Sequence, residues 1–370
     1  MIPKTVLLAG SGHAHLEVIR EMPQELVAKH RFILVSPSTK TYYSGLIPKL
    51  ISNEIGAKQL TIESAAYAKS KGFEFIKSSV ESIDEKRNNI TLQNGENLNF
   101  DILSLNIGGT PQDIKTSCPL TTVHLRPFDN FIEGLERINK AVESIKKPRF
   151  IVVGGGPAGV EVAVALKTRF NKNQKLGAEI CIVTEGERLC ATYSESISKK
   201  ILSAINSIGI AVNFNESTEI FDQYILLKNG NKLEFDFILI VTPTKPSPLL
   251  LKPIDNSLRI AANIFAVGDC AKMQNYSKLP RSGVTAVHQG RHLAQSIGQL
   301  LEGSSPKDFK PNKNSLNILI TGEEVARAVW GTSCSFESKL LFKIKNWIDA
   351  NYMQKFSESL PTSPKSVTQI

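Results

Sequence analysis

The hydrophobic positions of the chain form two similar stretches, each with an apolar run, a glycine-rich turn, an amphipathic segment and a second apolar run. The first stretch contains KTVLLA (4–9), GSGHAH (10–15), HLEVIREM and RFILVS (31–36). The second contains RFIVV (149–153), GGGPAG, VEVAVALKTRF and AEICIVT (178–184). Short continuous apolar runs predict buried strands, and helical spacing predicts the helices between them. Each stretch therefore predicts a βαβ unit.

A β-hairpin follows each unit. The segments ITLQNGENLNF and YILLKNGNKLEF carry Asn-Gly turns, at Asn94-Gly95 and Asn229-Gly230, between alternating apolar residues. An internal repeat of this kind indicates tandem domains of related architecture. We predict an α/β fold with two tandem Rossmann-type, three-layer dinucleotide-binding domains and a small C-terminal α+β region.

The same pattern predicts where the domains begin and end. The first domain takes residues 1–115 and, after an interruption, residues 251–303. The second domain takes residues 116–250, and residues 304–370 form the C-terminal region with an amphipathic helix. The proline-dense segment PTKPSPLLLKP, from Pro243 to Pro253, predicts the crossing back to the first domain.

The first glycine turn lies between a strand and a helix, as a phosphate-binding turn requires. Gly10 permits the tight turn, and Gly12 lets the backbone approach a pyrophosphate. His15 stands where a third glycine or alanine is usual, which predicts a wider spacing of helix and strand. The next strand ends at Ser36 instead of an acid, so Ser36 is the candidate ribose contact. Polar positions on a helix face are the alternative interpretation of His13 and His15.

The second turn completes the GxGxxG pattern with Gly154, Gly156 and Gly159. The following strand ends beside Glu185, a candidate ligand for a ribose hydroxyl group. Arg188 lies close enough in sequence to meet a 2′-phosphate instead. The sequence therefore leaves NADH and NADPH open.

A third motif, IFAVGD (264–269), predicts a buried strand that ends in Gly268 and Asp269. Glycine lets the backbone come close to a ligand, and the carboxylate can accept hydrogen bonds from sugar hydroxyl groups.

Composition adds few constraints. The chain has 370 residues, a formal charge of +9 and an ordinary globular share of apolar residues, 41%. This charge favours anionic partners, such as a dinucleotide or lipid headgroups. The five cysteines have no CxxC or CxxxxC spacing, and we see no secretory signal or membrane-spanning run. We expect a cytoplasmic protein without a metal site and without a nucleic-acid partner.

Two glycine turns followed by IFAVGD resemble the pyridine nucleotide–disulfide oxidoreductase superfamily over nearly the whole chain. The resemblance implies FAD at Gly10 and Gly12, NAD(P)H as substrate at Gly154, Gly156 and Gly159, and an FAD ribityl contact at Asp269. It further assigns cofactor contacts to His13, Ala14, Ser36, Gly108, Gly268 and Val284, and a nucleotide contact to Glu185.

Within the superfamily the chain resembles the type II NADH dehydrogenase and sulfide:quinone reductase branch. The segments GSGHAHLEVIR and TYYSGLIPKLI also resemble a subfamily often fused to selenide, water dikinase. The resemblance implies that Glu161 orients the cofactor or handles a proton and that Gln289 lies on the quinone side. A charge at a helix start is the alternative interpretation of Glu161.

The expected function is transfer of a hydride from NAD(P)H to FAD and of electrons to an acceptor, with a quinone expected. Oxidation of sulfide or a selenium analogue by a cysteine relay is one alternative. A flavin-binding regulatory protein with little turnover is another, and a homodimer stays open. The pair Cys118 and Cys334 is the candidate relay, although no cysteine has redox-motif spacing.

A last pattern concerns residues 336–356, where apolar residues recur at helical spacing with Lys339, Lys343, Lys345 and Lys355 interleaved. A basic amphipathic helix with Trp and Tyr is typical of a peripheral contact with a cytoplasmic membrane. Packing of this helix against the first domain is the alternative.

Overall fold

The computed structural model describes residues 2–110, 114, 120–172, 177–216, 219–250, 252–276, 279, 281–312, 315–331 and 334–357. The elements are numbered here in chain order.

Residues 5–105 supply the strands and helices around the first glycine turn. They are β1 (Thr5–Ala9), α1 (His13–Glu21), α2 (Gln24–Lys29), β2 (Arg31–Ser36), β3 (Thr41–Tyr42), α3 (Ile47–Ile51), β4 (Thr61–Ile62), α4 (Ser64–Ser70), β5 (Glu74–Lys77), β6 (Val80–Asp84), β7 (Asn89–Leu92), β8 (Asn97–Asn99) and β9 (Ile102–Leu105).

The middle of the chain repeats this arrangement around the second turn. Its elements are β10 (Thr122–His124), α5 (Phe128–Val142), β11 (Arg149–Val153), α6 (Pro157–Lys172), β12 (Glu179–Val183), α7 (Glu195–Ser207), β13 (Ile210–Asn213), β14 (Glu219–Ile220), β15 (Tyr224–Leu226), β16 (Lys232–Glu234) and β17 (Phe237–Ile240).

The rest of the chain returns to the first sheet and then adds a small region of its own. Its elements are β18 (Arg259–Ala261), β19 (Ile264–Ala266), α8 (Gly283–Leu301), β20 (Leu316–Gly322), β21 (Val325–Trp330), β22 (Cys334–Ser338) and α9 (Lys339–Ser357).

Two separate parallel sheets carry the two glycine turns. The first has the order β18-β19-β9-β1-β2-β5, with only β18 antiparallel to its neighbour, and the second has the order β10-β17-β11-β12-β13. Since β1 and β11 are central, each turn lies at the carboxyl end of a central strand, where ligands bind in such sheets. The predicted α/β class with Rossmann-type domains is confirmed.

Both Asn-Gly hairpins are present. Strand β7 pairs antiparallel with β8, and β15 pairs antiparallel with β16. Gly95 and Gly230 both have φ +83°, the left-handed region that glycine adopts at no steric cost.

The C-terminal region departs from the predicted single helix over residues 336–356. Phe336 lies in β22, which pairs with β21, and the helix α9 begins only at Lys339. Tyr352 and Phe356 of α9 belong to the core of the first domain. Of the helices that the structure describes, none is long and apolar enough to cross a bilayer.

Candidate functional site

The first glycine turn is crowded by strand β9. Gly10 has φ +93°, and a Cβ atom there would lie 2.3 Å from the carbonyl oxygen of Asn106. A Cβ atom at Gly12 would lie 2.6 Å from Nδ2 of the same asparagine. A side chain at Gly10 would collide with backbone atoms, which cannot yield, whereas a side chain at Gly12 would displace the Asn106 side chain.

Asn106 is the residue on which three glycines converge. It follows β9, and its Oδ1 would also lie 2.6 Å from a Cβ atom at Gly268. Its Nδ2 is buried and has no hydrogen-bond partner among the described residues. A buried amide without a partner is costly, which indicates that a ligand atom accepts this hydrogen bond. Asn106 was missed from the sequence, since nothing in NIGG distinguishes it from an ordinary strand end.

Both histidines of the turn are held in the structure, and His15 is more than a polar position on a helix face. The His15 ring is fully buried, with Nδ1 2.6 Å from the Gly10 carbonyl and Nε2 2.8 Å from Ser104 Oγ. It ties the glycine turn to β9 and takes the space of the missing third glycine. Burial lowers the pKa of His15 to about 4.

His13 faces an aromatic group at the start of α1. Its ring stacks on Tyr352 at 5.9 Å and lies 5.7 Å from Tyr43, measured between ring centroids. Burial and the nearby Arg126 guanidinium lower the pKa of His13 to about 4. The buried Nε2 atom has no partner in the described part of the chain, so the ring can still bind a ligand there.

Hydroxyl groups stand where an acid is usual at the end of β2. Ser36 is buried, and its Oγ lies 3.0 Å from Ser11 Oγ, which is 2.8 Å from Thr41 Oγ1. This group can donate and accept hydrogen bonds without adding charge.

Asp269 meets an arginine from the loop between β10 and α5 of the second sheet. Arg126, which follows β10, places a guanidinium nitrogen 3.5 Å from Asp269 Oδ2 and its carbon 4.1 Å from the centre of the Phe128 ring. Burial lowers the pKa of Arg126, and Asp269 opposes that shift. The aspartate was predicted from IFAVGD, whereas Arg126 had no local signal.

The second turn has the geometry that its motif predicts. Gly154 has φ +128°, and a Cβ atom at Gly159 would lie 1.9 Å from the Gly154 carbonyl oxygen. A Cβ atom at Gly156 would meet nothing within 4 Å, so the space above this residue is open. Glu185 is exposed beyond β12, and Arg188 donates to the Ala191 carbonyl oxygen at 3.0 Å.

Glu161 connects the second domain to the C-terminal sheet. It lies on α6, and its Oε1 accepts a hydrogen bond from the Ile320 amide of β20 at 3.0 Å. Burial raises the pKa of Glu161, and the charge of Lys345 partly opposes this. The contact with β20 distinguishes Glu161 from a solvated charge at a helix start.

Lys345 and Asp349 of α9 form a buried pair. The Lys345 ammonium donates to Asp349 Oδ2 at 3.0 Å and to the Gly45 carbonyl oxygen at 3.2 Å. Asp349 Oδ1 accepts from the Tyr43 hydroxyl group at 2.9 Å. Lys345 was predicted as one of the interleaved lysines of a basic amphipathic helix at a bilayer interface, but its side chain is buried.

The remaining predicted residues lie on α8 and after β9. Gln289 is buried, and its Oε1 accepts from the Gly268 amide at 2.7 Å, which holds the Gly-Asp turn. Val284 is exposed in the first turn of α8. Gly108 has φ +73° with open space around it, and Ala14 is buried where Gly290 of α8 packs on its backbone.

Four cysteines can be placed. Cys181, Cys190 and Cys270 carry thiols whose pKa burial raises to about 11 or 12, and Cys334 is exposed on β22. Cys118 of the candidate relay lies outside the described residues. Within those residues, no three His, Cys, Asp or Glu side chains are grouped to hold a metal ion.

Comparison with known proteins places these features in a family. The family model for pyridine nucleotide-disulphide oxidoreductases matches residues 4–290. A type II NADH:quinone oxidoreductase of Haemophilus influenzae is 22% identical over 369 residues, covering 84% of this chain and 83% of that relative. A probable NADH dehydrogenase of Dictyostelium discoideum is 24% identical, and the match spans 64% of this chain and 62% of that relative.

Solved structures show the same fold. The sulfide:quinone oxidoreductase of Aquifex aeolicus superposes with a TM-score of 0.81 at 16% identity, over 97% of this chain and 93% of that one. NDH2 of Plasmodium falciparum, solved in complex with NADH, has a TM-score of 0.77 at 15% identity, over 97% and 99%.

Proposed function

The chain belongs to the pyridine nucleotide-disulphide oxidoreductase family, and on that premise we propose that it is an FAD-dependent NAD(P)H:quinone oxidoreductase. The observation that carries the proposal is the presence of two crowded glycine turns, one on each parallel sheet. A single dinucleotide site could bind only the cofactor or only the nucleotide substrate, whereas two sites can bind both. The family relationship establishes an oxidoreductase, and FAD and the quinone are the proposed parts.

The residues around the first turn suit FAD. The buried Asn106 Nδ2 and His13 Nε2 each lack a partner in the described structure, and both lie at the start of α1 where a pyrophosphate binds. The hydroxyl groups of Ser11, Ser36 and Thr41 suit a ribose. Asp269, which already pairs with Arg126, can also accept hydrogen bonds from the ribityl chain.

The chain's own residues supply binding, orientation and proton handling. When bound, FAD provides the acceptance of a hydride from NAD(P)H and the passage of electrons to the acceptor. Gly154, Gly156 and Gly159 let the α6 amides approach the nucleotide pyrophosphate, and Glu185 is the proposed ribose ligand. Burial raises the pKa of Glu161, which favours the protonated carboxyl group, the form that a general acid needs, more than in a solvated glutamate. We propose that Gln289 lies beside the acceptor, and its side chain also accepts the hydrogen bond from the Gly268 amide.

One experiment tests this proposal directly. The purified protein should show flavin absorption bands, and rapid mixing with NADH or NADPH should bleach them. Addition of a soluble quinone should restore the absorption at a rate that matches turnover. A protein that binds no FAD on reconstitution contradicts the proposal, and reduction by sulfide but not by NAD(P)H would favour the cysteine-relay alternative.

We predict that no cysteine takes part in turnover. Cys190 and Cys270 are buried and Cys181 is half-buried, and burial raises the pKa of all three thiols, so they lack the thiolate that such chemistry needs. Replacing Cys118 and Cys334 by serine together should leave NAD(P)H oxidation within about twofold of the wild-type rate. Loss of turnover with FAD retained would show a cysteine relay instead.

The outer face of α9 supports the proposed contact with an anionic membrane. Leu340 and Trp347 are 65% and 66% exposed, and they form an outer stripe with Ile344 and Ile348. Trp330, itself exposed, ends the strand β21 that packs against α9. The exposed Lys339 and Lys343 flank the stripe and would add about 1 kcal/mol each near anionic lipid.

We predict that Leu340→Ser with Trp347→Ser lowers binding to anionic vesicles about 100-fold or more. Full burial of such a side chain contributes about 1.5–3 kcal/mol, and every 1.4 kcal/mol is about tenfold. Vesicle sedimentation at low and high salt measures the effect, since salt screens the lysine contribution. Leu120→Ser, at an exposed leucine of the second domain, is the control. If the double variant sediments as well as the Leu120→Ser control, net charge alone accounts for binding to the lipid.

A further inference from the structure

The second glycine turn is bordered by the carboxyl ends of β12 and β13. A Cβ atom at Gly155 of the turn would lie 2.7 Å from Thr184 Oγ1, at the end of β12. The Thr184 amide donates to the carbonyl oxygen of Asn213, at the end of β13, at 3.0 Å. In a dinucleotide site this border contacts the adenosine ribose, so residues 184–188 and 213–216 are called the ribose edge. NADH and NADPH differ by one phosphate group, on the 2′-oxygen of this ribose.

The ribose edge brings together two acidic residues from different loops. Glu185 is exposed directly after β12. The Glu216 amide donates to the Thr184 carbonyl oxygen at 3.0 Å, which places Glu216 against the residue that precedes Glu185. The Asn215 amide donates to the Gly186 carbonyl oxygen at 3.3 Å and fixes the same two segments to each other. Both carboxylates therefore belong to the border that faces the 2′-position.

The positive charge at this edge is directed elsewhere. Arg188 Nη2 donates to the Ala191 carbonyl oxygen at 3.0 Å, within its own loop. Lys228, from the hairpin between β15 and β16, contributes its backbone amide, which donates to Glu216 Oε2 at 2.7 Å. With the exposed Glu187, the ribose edge carries three acids and one arginine. Its charge therefore suits a neutral hydroxyl group better than a phosphate.

We propose that Glu185 and Glu216 are specificity-determining residues that make this chain select NADH over NADPH. This inference rests on the proposed function and deepens its nucleotide site. The Glu185 carboxylate can accept a hydrogen bond from the 2′-hydroxyl group, which NADH has and NADPH lacks. A 2′-phosphate would instead bring about two negative charges against both carboxylates, and like charges brought together oppose binding.

Nucleotide binding tests this inference without turnover. The affinities of the FAD-saturated protein for NAD⁺ and NADP⁺ are measured by titration calorimetry at low salt, since the oxidised nucleotides do not react with oxidised flavin. NAD⁺ should bind about 10–100-fold more tightly, as expected for repulsion between charges a few ångströms apart in solvent. Added salt should narrow the difference, because it screens this repulsion.

The two acids have different expected signatures. Glu216→Gln should strengthen NADP⁺ binding about tenfold and leave NAD⁺ binding unchanged, because glutamine can still accept from the Lys228 amide. Glu185→Gln should strengthen NADP⁺ binding similarly and weaken NAD⁺ binding, since a neutral amide oxygen is a weaker acceptor than a carboxylate. Arg188→Gln should lower NADP⁺ binding by less than about threefold, because its guanidinium group is bonded to Ala191 and solvent screens the rest of its charge.

Glu179→Gln is the matched control. Glu179 is an exposed glutamate at the amino end of β12, where it forms an ion pair with Lys147. At about 3.3 Å per residue it lies roughly 20 Å from Glu185, beyond the range of unscreened attraction or repulsion. Its replacement should leave the ratio of the two affinities unchanged.

The ratio of the affinities for NAD⁺ and NADP⁺ decides the outcome. A damaged variant lowers both affinities together, and the salt dependence of the wild-type ratio needs no variant at all. Equal or tighter binding of NADP⁺ by the wild-type protein overturns the inference, as does a ratio that neither glutamate variant moves. A loss of NADP⁺ binding of more than about threefold in Arg188→Gln does the same, because it would make that arginine a phosphate ligand. A wild-type protein whose flavin NADH does not reduce would defeat the proposed function, while the two affinities could still be compared.

Discussion

Replacing Glu161 by glutamine should slow reduction of the bound flavin by NAD(P)H by about 10²–10⁴-fold, the usual contribution of an acid–base or orienting group. Glutamine keeps the size of the side chain and can still accept the hydrogen bond from the Ile320 amide. The FAD content should therefore stay at the wild-type level. Rapid mixing with NADH and NADPH, followed by flavin absorption, measures the rate.

Glu195→Gln provides the matched control for this variant. Glu195 is an exposed glutamate in the first turn of α7, so its loss tests what a helix-start charge alone contributes. Its replacement should leave the rate unchanged. Wild-type kinetics in the Glu161 variant would show that Glu161 serves only as a structural link between α6 and β20.

The second large effect is expected from Gly10→Ala, which should destabilise FAD binding about 5–150-fold. A Cβ atom at Gly10 would lie 2.3 Å from the Asn106 carbonyl oxygen, and overpacking of this kind costs about 1–3 kcal/mol. The dissociation constant of FAD, measured by reconstitution of the apoprotein, reports the change.

Gly95→Ala separates crowding from backbone strain. Gly95 has φ +83°, close to the +93° of Gly10, but a Cβ atom there would meet nothing within 4 Å. Its replacement carries the same conformational cost without the collision, and FAD binding should stay normal. An equal loss of FAD affinity in Gly10→Ala and Gly95→Ala would show that the backbone angle, and not the collision, causes the effect.

The fold and the two turns could be predicted because their signals are local. Strand, turn and helix follow one another within about 30 residues, and only glycine suits the positions Gly10, Gly154 and Gly159. Asn106 and Arg126 could not be found in this way. Asn106 comes from the end of β9 and Arg126 from the loop between β10 and α5, and neither stands in a distinctive local pattern.

Helix α9 was predicted only in part, for a specific physical reason. An apolar stripe usually faces the core, yet here Leu340 and Trp347 face outward while Lys345 and Asp349 face inward. The sequence shows both stripes, but only the tertiary contacts decide which one is covered. Asp349, the partner that makes the buried Lys345 tolerable, is visible in the sequence at helical spacing.

The two neutral histidines of the first turn give acid a particular effect on this protein. His13 and His15 have pKa values lowered from 6.5 to about 4, so between those values the unfolded turn binds protons that the folded turn excludes. Their contribution to stability is complete above about pH 6.5 and is lost as the pH falls toward 4. We therefore expect brief dialysis in that acidic range to loosen the first turn and release the proposed FAD, so that neutralisation with a modified flavin would load that flavin instead.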